Sequence, residues 1–218
     1  VNDLAALYRL QGRFAEARPL YSRALETRIR NNGERHQNTL ESMHNLALLQ
    51  ADLGCHAESK ELLESAIVTS TESLGHEHPD TLSFVASLAG VQTEEKRYAE
   101  AEKLYLQTLA RQKNVLGLKH PRTLISLGNL AVVYKGQGRY GEAEALYREA
   151  LDLREQTLGP EHPHTLDTVT NLGLLCTQLG HYGQAEPLLK RSLESRERTI
   201  WADHPNTGDR AYYLAWLH

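Results

Sequence analysis

Apolar positions along the chain follow the three- and four-residue spacing of amphipathic helices, and the whole pattern returns every 42 residues. Leu4, Leu46, Leu88, Leu130, Leu172 and Leu214 stand one period apart, as do Thr39, Thr81, Thr123, Thr165 and Thr207, and His36, His78, His120, His162 and His204. No insertion or deletion interrupts the series. In the clearest unit, Leu124, Leu127, Leu130, Ala131 and Tyr134 predict a helix of about four turns, opened by Pro121, Arg122 and Thr123 and closed by Gly136 and Gly138. Tyr140, Ala143, Leu146, Tyr147, Ala150, Leu151 and Arg154 predict a second, longer helix that runs to Leu158 before Gly159-Pro160 ends it. Self-similarity at a period of about 20–50 residues marks a solenoid, in which each unit buries its apolar face only against its neighbours. The expected fold is all-α, a stack of antiparallel helix pairs, and function belongs on its repetitive surface rather than in a central pocket.

Both ends of both helices are punctuated. Gly12, Gly54, Gly138 and Gly180 form a column where a helix terminus needs a left-handed residue, and only Lys96 departs from it. Gly33, Gly75, Gly117 and Gly159 mark the second break. Pro79, Pro121, Pro163 and Pro205 suit a first helical turn, where the missing N–H has no partner in any case. Small residues, Ala5, Ala47, Ala89, Ala131 and Gly173 in the first helices and Ala17, Ala101, Ala143 and Ala185 in the second, oppose bulky Leu and Tyr columns. Small against large lets paired helices approach to about 8–10 Å.

Composition narrows the function. A formal net charge of -4 gives no basic field for nucleic acid, and no apolar run of about 18 residues suggests a membrane span. Cys55 and Cys176 lie three units apart, beyond disulfide reach in a solenoid, which suits a reducing, cytoplasmic setting. The histidine column invites a metal hypothesis that geometry opposes. Equivalent positions in successive layers stand on the order of 10 Å apart, whereas zinc ligands lie about 2 Å from one ion. Each His before a Pro is expected instead to close the connector and cap the next helix, with no metal and no cofactor. No phosphate loop, nucleophile elbow or isolated carboxylate pair is present, so no catalytic residue is assigned. Glu16, Glu58, Glu100 and Glu142 suit the positive start of a helix dipole. Arg28, Arg154 and Arg196 read as solvated-face residues that pair between repeats.

Asn129-Leu130-Ala131 with Tyr134, Gly138, Tyr140, Ala143, Tyr147 and Ala150 resembles the tetratricopeptide repeat across the whole chain. The eight residues beyond the usual 34, with "LGHEHPDTL" from Leu74 to Leu82 and "LGPEHPHTL" from Leu158 to Leu166, resemble the subclass found in kinesin light chains and nephrocystin-3. The resemblance implies a right-handed superhelix that holds peptides along a concave wall of first helices. Carried over, the column before the leucines is Asp3, Asn45, Ser87, Asn129, Asn171 and Tyr213. An amide both donates and accepts, so Asn45, Asn129 and Asn171 are expected to grip an extended backbone. His44, Leu48, Val132, Lys135, Thr170 and Leu174 belong to the same wall. Ala86, Ser87, Gly90 and Gly128 are tiny together, which leaves either a gap for a bulky ligand side chain or a locally tighter superhelix.

The boundaries expected are a single array over 1–218, with a partial repeat at 1–37, repeats at 38–79, 80–121, 122–163 and 164–205, and the first helix of a sixth unit at 206–218. The absent opening before Val1 and the apolar Tyr212, Tyr213 and Trp216 suggest a fragment of a longer protein. The wall offers Arg9 and Lys135 against Glu41, Asp52, Glu94, Asp167 and Asp209, which disfavours a carboxylate clamp and suits a neutral or basic protein partner with an apolar anchor. The leading expectation is a non-enzymatic interaction scaffold, monomeric or weakly self-associating. The alternatives are the sensor or oligomerisation region of a signalling NTPase, and a purely structural array whose wall is self-occupied.

Overall fold

The computed structural model describes residues 1–203, with side chains for residues 1–198. The expectations for His204 through His218, including Tyr212, Tyr213 and Trp216, lie outside them. Ten helices and no strand occur among the described residues. The chain divides into two compact units, one of Val1–Gly136 and one from Gln137 onward.

The first unit contains α1 (Asn2–Leu10), α2 (Phe14–Asn32), α3 (Gln37–Asp52), α4 (His56–Leu74), α5 (Pro79–Glu94), α6 (Tyr98–Val115) and α7 (Pro121–Gly136). Each packs on the next in sequence, and the first helices also touch one another, α1 on α3, α3 on α5 and α5 on α7. The second unit contains α8 (Tyr140–Leu158), α9 (Pro163–Gln178) and α10 (Tyr182–Asp203), packed α8 on α9 and α9 on α10. Large and small alternate as the columns require. Tyr21, Tyr105 and Tyr147 are about 1% exposed, and Ala5, Ala47, Ala89 and Ala131 are wholly buried. At Gly173 an added Cβ would stand 2.9 Å from Leu189 Cγ, so α9 and α10 sit too close even for alanine.

The connectors close with their own side chains. His36, His78, His120 and His162 each accept, at Nδ1, a hydrogen bond from the backbone N–H two residues on, at 3.1 to 3.2 Å. This satisfies one of the donors left open at a helix start. Thr39, Thr81, Thr123 and Thr165 donate back to the carbonyls of Gly33, Gly75, Gly117 and Gly159, at 2.8 to 3.0 Å. The histidine and threonine columns are therefore capping devices. At the second helices, Glu16, Glu100 and Glu142 do more than face the dipole, because Arg13, Arg97 and Arg139 at the cap positions pair with them.

As expected, Gly136 and Gly138 close the helix: Gly136 is the last residue of α7, with the Tyr98 Cζ 2.5 Å from where a Cβ would stand, and Gly138, with φ 77°, makes the turn. One expectation is corrected. Arg154 is not on a solvated face. It is 7% exposed, and its Nη1 donates to the His164 carbonyl at 2.7 Å and to Thr168 Oγ1 at 2.5 Å. Burial works to lower its pKa, and the charge of Asp167 opposes that shift. Lys96, the exception in the glycine column, does adopt the left-handed conformation, with φ 61°.

Candidate functional site

The first helices α1, α3, α5 and α7 form one wall in the first unit, and α9 is the first helix of the second unit among the described residues. None of the twelve expected wall residues is buried. Val132 and Leu174 are the most open, 37% and 38% exposed, and the rest are half-buried.

In the first unit, α3 and α5 are joined by His44, whose Nε2 lies 2.7 Å from Ser87 Oγ. Its ring packs on Phe84 with centroids 4.9 Å apart. Burial, with the positive charges of Arg122 and Arg9, pushes the His44 pKa down to about 4 against the opposing Asp80, so the ring is neutral at pH 7. Between α5 and α6 the side chain missing from Gly90 is replaced by the Tyr105 hydroxyl, 3.4 Å from where a Cβ would stand. Burial raises the Tyr105 pKa, and the Asn129 amide beside the hydroxyl works in the other direction. Gly90 and Asn129 thus meet through a tyrosine. Among the described residues the amide of Asn45 makes no side-chain hydrogen bond.

In the second unit, Asn171 is likewise half-buried with its amide unengaged among the described residues. Thr170 is turned inward, its Oγ1 2.7 Å from Ser192 Oγ on α10 and donating to the Leu166 carbonyl at 2.9 Å. Leu174 is left as the apolar contact on this face.

The ion pairs of the first unit tie the same helices together. Arg9 Nε donates to Asp52 at 2.5 Å, joining α1 to α3. Gln37 and Arg122 both donate to Asp80 at 2.9 Å, so one carboxylate links α3, α5 and α7. Burial pushes the Asp80 pKa up, but the hydrogen bonds from Arg122 and Gln37 outweigh it and hold the carboxyl below its usual range. Glu94 lies 3.5 Å from His56, with its pKa raised by burial. Arg9 and Arg122 are thereby neutralised within the wall. The sequence carried a signal for these pairs that column-by-column reading passes over. His44–Ser87, Arg9–Asp52 and Gln37–Asp80 all span 43 residues, one period plus one. What remains for chemistry is amides, a neutral imidazole, hydroxyls and exposed aliphatic groups, which recognise by hydrogen bonding and apolar contact.

The tetratricopeptide repeat family model matches residues 1–67, 82–156 and 129–198. The chain belongs to the tetratricopeptide repeat family. Its fold is the all-α solenoid of that family. Among solved structures it is similar to the nearly identical TPR-like repeats of a Podosopora anserina protein described as a kinesin light chain. That likeness is 28% in identity, covers 91% of this chain and 93% of that one, and has a TM-score of 0.69. It is also similar to BtubC from P. vanneervenii, at 25% identity over 94% of this chain and 81% of that one, with a TM-score of 0.70. A Rap protein complexed with competence and sporulation factor shares the fold at 17% identity and a TM-score of 0.79, over 93% of this chain and 54% of that one. No curated protein matches the chain. No helix among the described residues is long and apolar enough to cross a membrane.

Proposed function

We propose that this tetratricopeptide array is a non-enzymatic scaffold that holds an extended or helical segment of a protein partner along its wall of first helices. The observation that carries the reading is the state of Asn45 in the first unit and of Asn171 in the second: each is a half-buried amide on a first helix, and neither is engaged by a side-chain hydrogen bond among the described residues. Both amides are open to water, which a peptide backbone can replace because it presents the matching donor and acceptor. Leu48, Val132 and Leu174 supply apolar contact. Asn129 belongs to the same set, but Tyr105 braces it, so it contributes to binding as a fixed amide. The region of Ser87, Gly90 and Gly128 is shallower than a side-chain pocket, because Tyr105 and His44 stand in it, and it suits close approach of the ligand backbone. His44 and Thr170 order the wall, and Lys135 at its edge is a single cation.

With Arg9 and Arg122 neutralised by Asp52 and Asp80, Asp3 and Glu94 outnumber Lys135 and leave the first unit's wall with an acidic bias. A neutral or basic segment with an aromatic or aliphatic anchor fits it. The similarity to kinesin light chain repeats supports a role in holding protein cargo or assembly partners. The unbroken period supports one array over 1–218, and the two free thiols support a cytoplasmic setting for a monomer or weakly self-associating chain.

Selection of binders from a random peptide library tests the proposal. The variant with Asn45→Ala and Asn171→Ala is expected to bind a recovered peptide at least about tenfold more weakly, as loss of two hydrogen bonds worth about 1 kcal/mol each requires. Affinity that stays within threefold of the parent defeats the groove reading.

A further inference from the structure

The repeats solve one packing problem in three ways, and the third leaves an unfilled requirement. The problem arises where the last turns of a second helix meet the start of the next first helix. At the α2–α3 junction Arg28 Nη1 donates to the Asn38 carbonyl at 2.5 Å and to Ser42 Oγ at 2.9 Å. The α8–α9 junction repeats this with Arg154, the His164 carbonyl and Thr168. At α4–α5 the arginine becomes Ser70 and the hydroxyl becomes Phe84, so a buried ring, 3% exposed, takes the volume, and Ser70 donates to its own helix at the Ile67 carbonyl. At α6–α7 the two positions hold Gln112 and Ser126.

Both residues are 1% exposed, and neither Gln112 Oε1 nor Ser126 Oγ has a hydrogen-bond partner. Glutamine ends two bonds short of arginine: its Oε1 takes the topological place of the arginine Nε. Two bonds of about 1.33 Å at 120° amount to about 2.3 Å. Added to the 2.5 and 2.9 Å that separate the arginine Nη1 atoms from their hydroxyls, this allows Oε1 and Ser126 Oγ to stand up to about 5 Å apart. That span is too long for a hydrogen bond and matches two bonds of about 2.8 Å meeting at one oxygen.

We propose that a single buried water bridges Gln112 on α6 to Ser126 on α7, taking the place that a guanidinium fills in the sister junctions. It donates to Gln112 Oε1 and to the Arg122 carbonyl, the counterpart of the Asn38 and His164 carbonyls, and it accepts from the Ser126 hydroxyl. Three partners are the usual complement of a buried water, and the site is polar, as hydration of an interior space requires. Thr108, one turn before Gln112 and 2% exposed, adds another hydroxyl without a partner on the same helix.

A crystal structure of the whole chain at better than about 2 Å tests this. A water oxygen is expected within about 2.6–3.2 Å of both Gln112 Oε1 and Ser126 Oγ. A direct contact between the two side chains, or a dry gap, overturns the proposal. The Gln112→Arg variant gives a second readout. Its guanidinium should displace the water and reach Ser126, raising the melting temperature by about 2–4 °C. An unchanged or lower melting temperature, with the arginine turned to solvent, would show that the junction lacks the polar space that the water requires.

Discussion

Single side chains decide how each copy of the repeat differs from its sisters. Lys96 pays the steric cost of a left-handed backbone that glycine avoids at the equivalent turns. Lys96→Gly should therefore stabilise the protein by about 1 kcal/mol in thermal or urea denaturation, once the greater freedom of glycine in the unfolded chain is subtracted. His44 makes the stability depend on pH. Its folded pKa, about 4, lies below the ordinary 6.5, so the unfolded chain takes up the proton first. Its contribution is intact above about pH 6.5, declines as pH falls toward 4, and is level below that; the full loss is about 3 kcal/mol. Urea titrations of the parent and of His44→Gln across pH 7 to 4 check this, since the variant's curve should be flatter by that amount. The sequence places His44 on the wall by its column but does not show that it reaches Ser87. That contact depends on the offset between neighbouring first helices, and no single column carries the offset.

At the scale of the element, the punctuation was nearly all legible. The left-handed glycines, the prolines at first turns and the capping histidines stand where spacing puts them, because each acts within a few residues of itself. His162→Ala should cost about 1 kcal/mol through loss of the α9 cap, and His162→Asn should recover most of it in the same denaturation assay. What spacing could not show was helix-to-helix distance. Gly173 sits in an alanine column, and by repeat consensus Gly173→Ala should stabilise α9. The closeness of Leu189 predicts the reverse, a net loss of about 1 kcal/mol, as overpacking outweighs the gain in helix propensity. Gly141→Ala, in open space near the start of α8, should instead gain about 0.5–1 kcal/mol. Arg154 escaped the sequence reading for the same reason: a charged residue in a periodic pattern reads as solvated until its neighbour's carbonyl and hydroxyl are known.

At the scale of the whole molecule, the main helix contacts within each unit join helices one or two places apart in the chain, so stability is local and passes from neighbour to neighbour. Leu4 and Leu7 of α1 are 44% and 49% exposed, whereas Leu46 and Leu49, one period on, are at most 8% exposed beneath α2. Hydrogen exchange followed by mass spectrometry should therefore find α1 the least protected helix of the first unit and α3 to α6 the most. Uniform protection across α1 to α6 would contradict this local picture. The wall could be named from the sequence as a face, but not as a set of free and engaged amides, because whether an asparagine is available depends on a tyrosine 24 positions away. The caps of the connector that joins one repeat to the next are bonds of no more than six residues in reach, such as Thr39 to the Gly33 carbonyl and Asn38 to His36. Each joint carries its own fastening, so a gene segment one period long can be copied or deleted without breaking a cap elsewhere. Such an array can lengthen by duplication and then diversify one wall residue at a time.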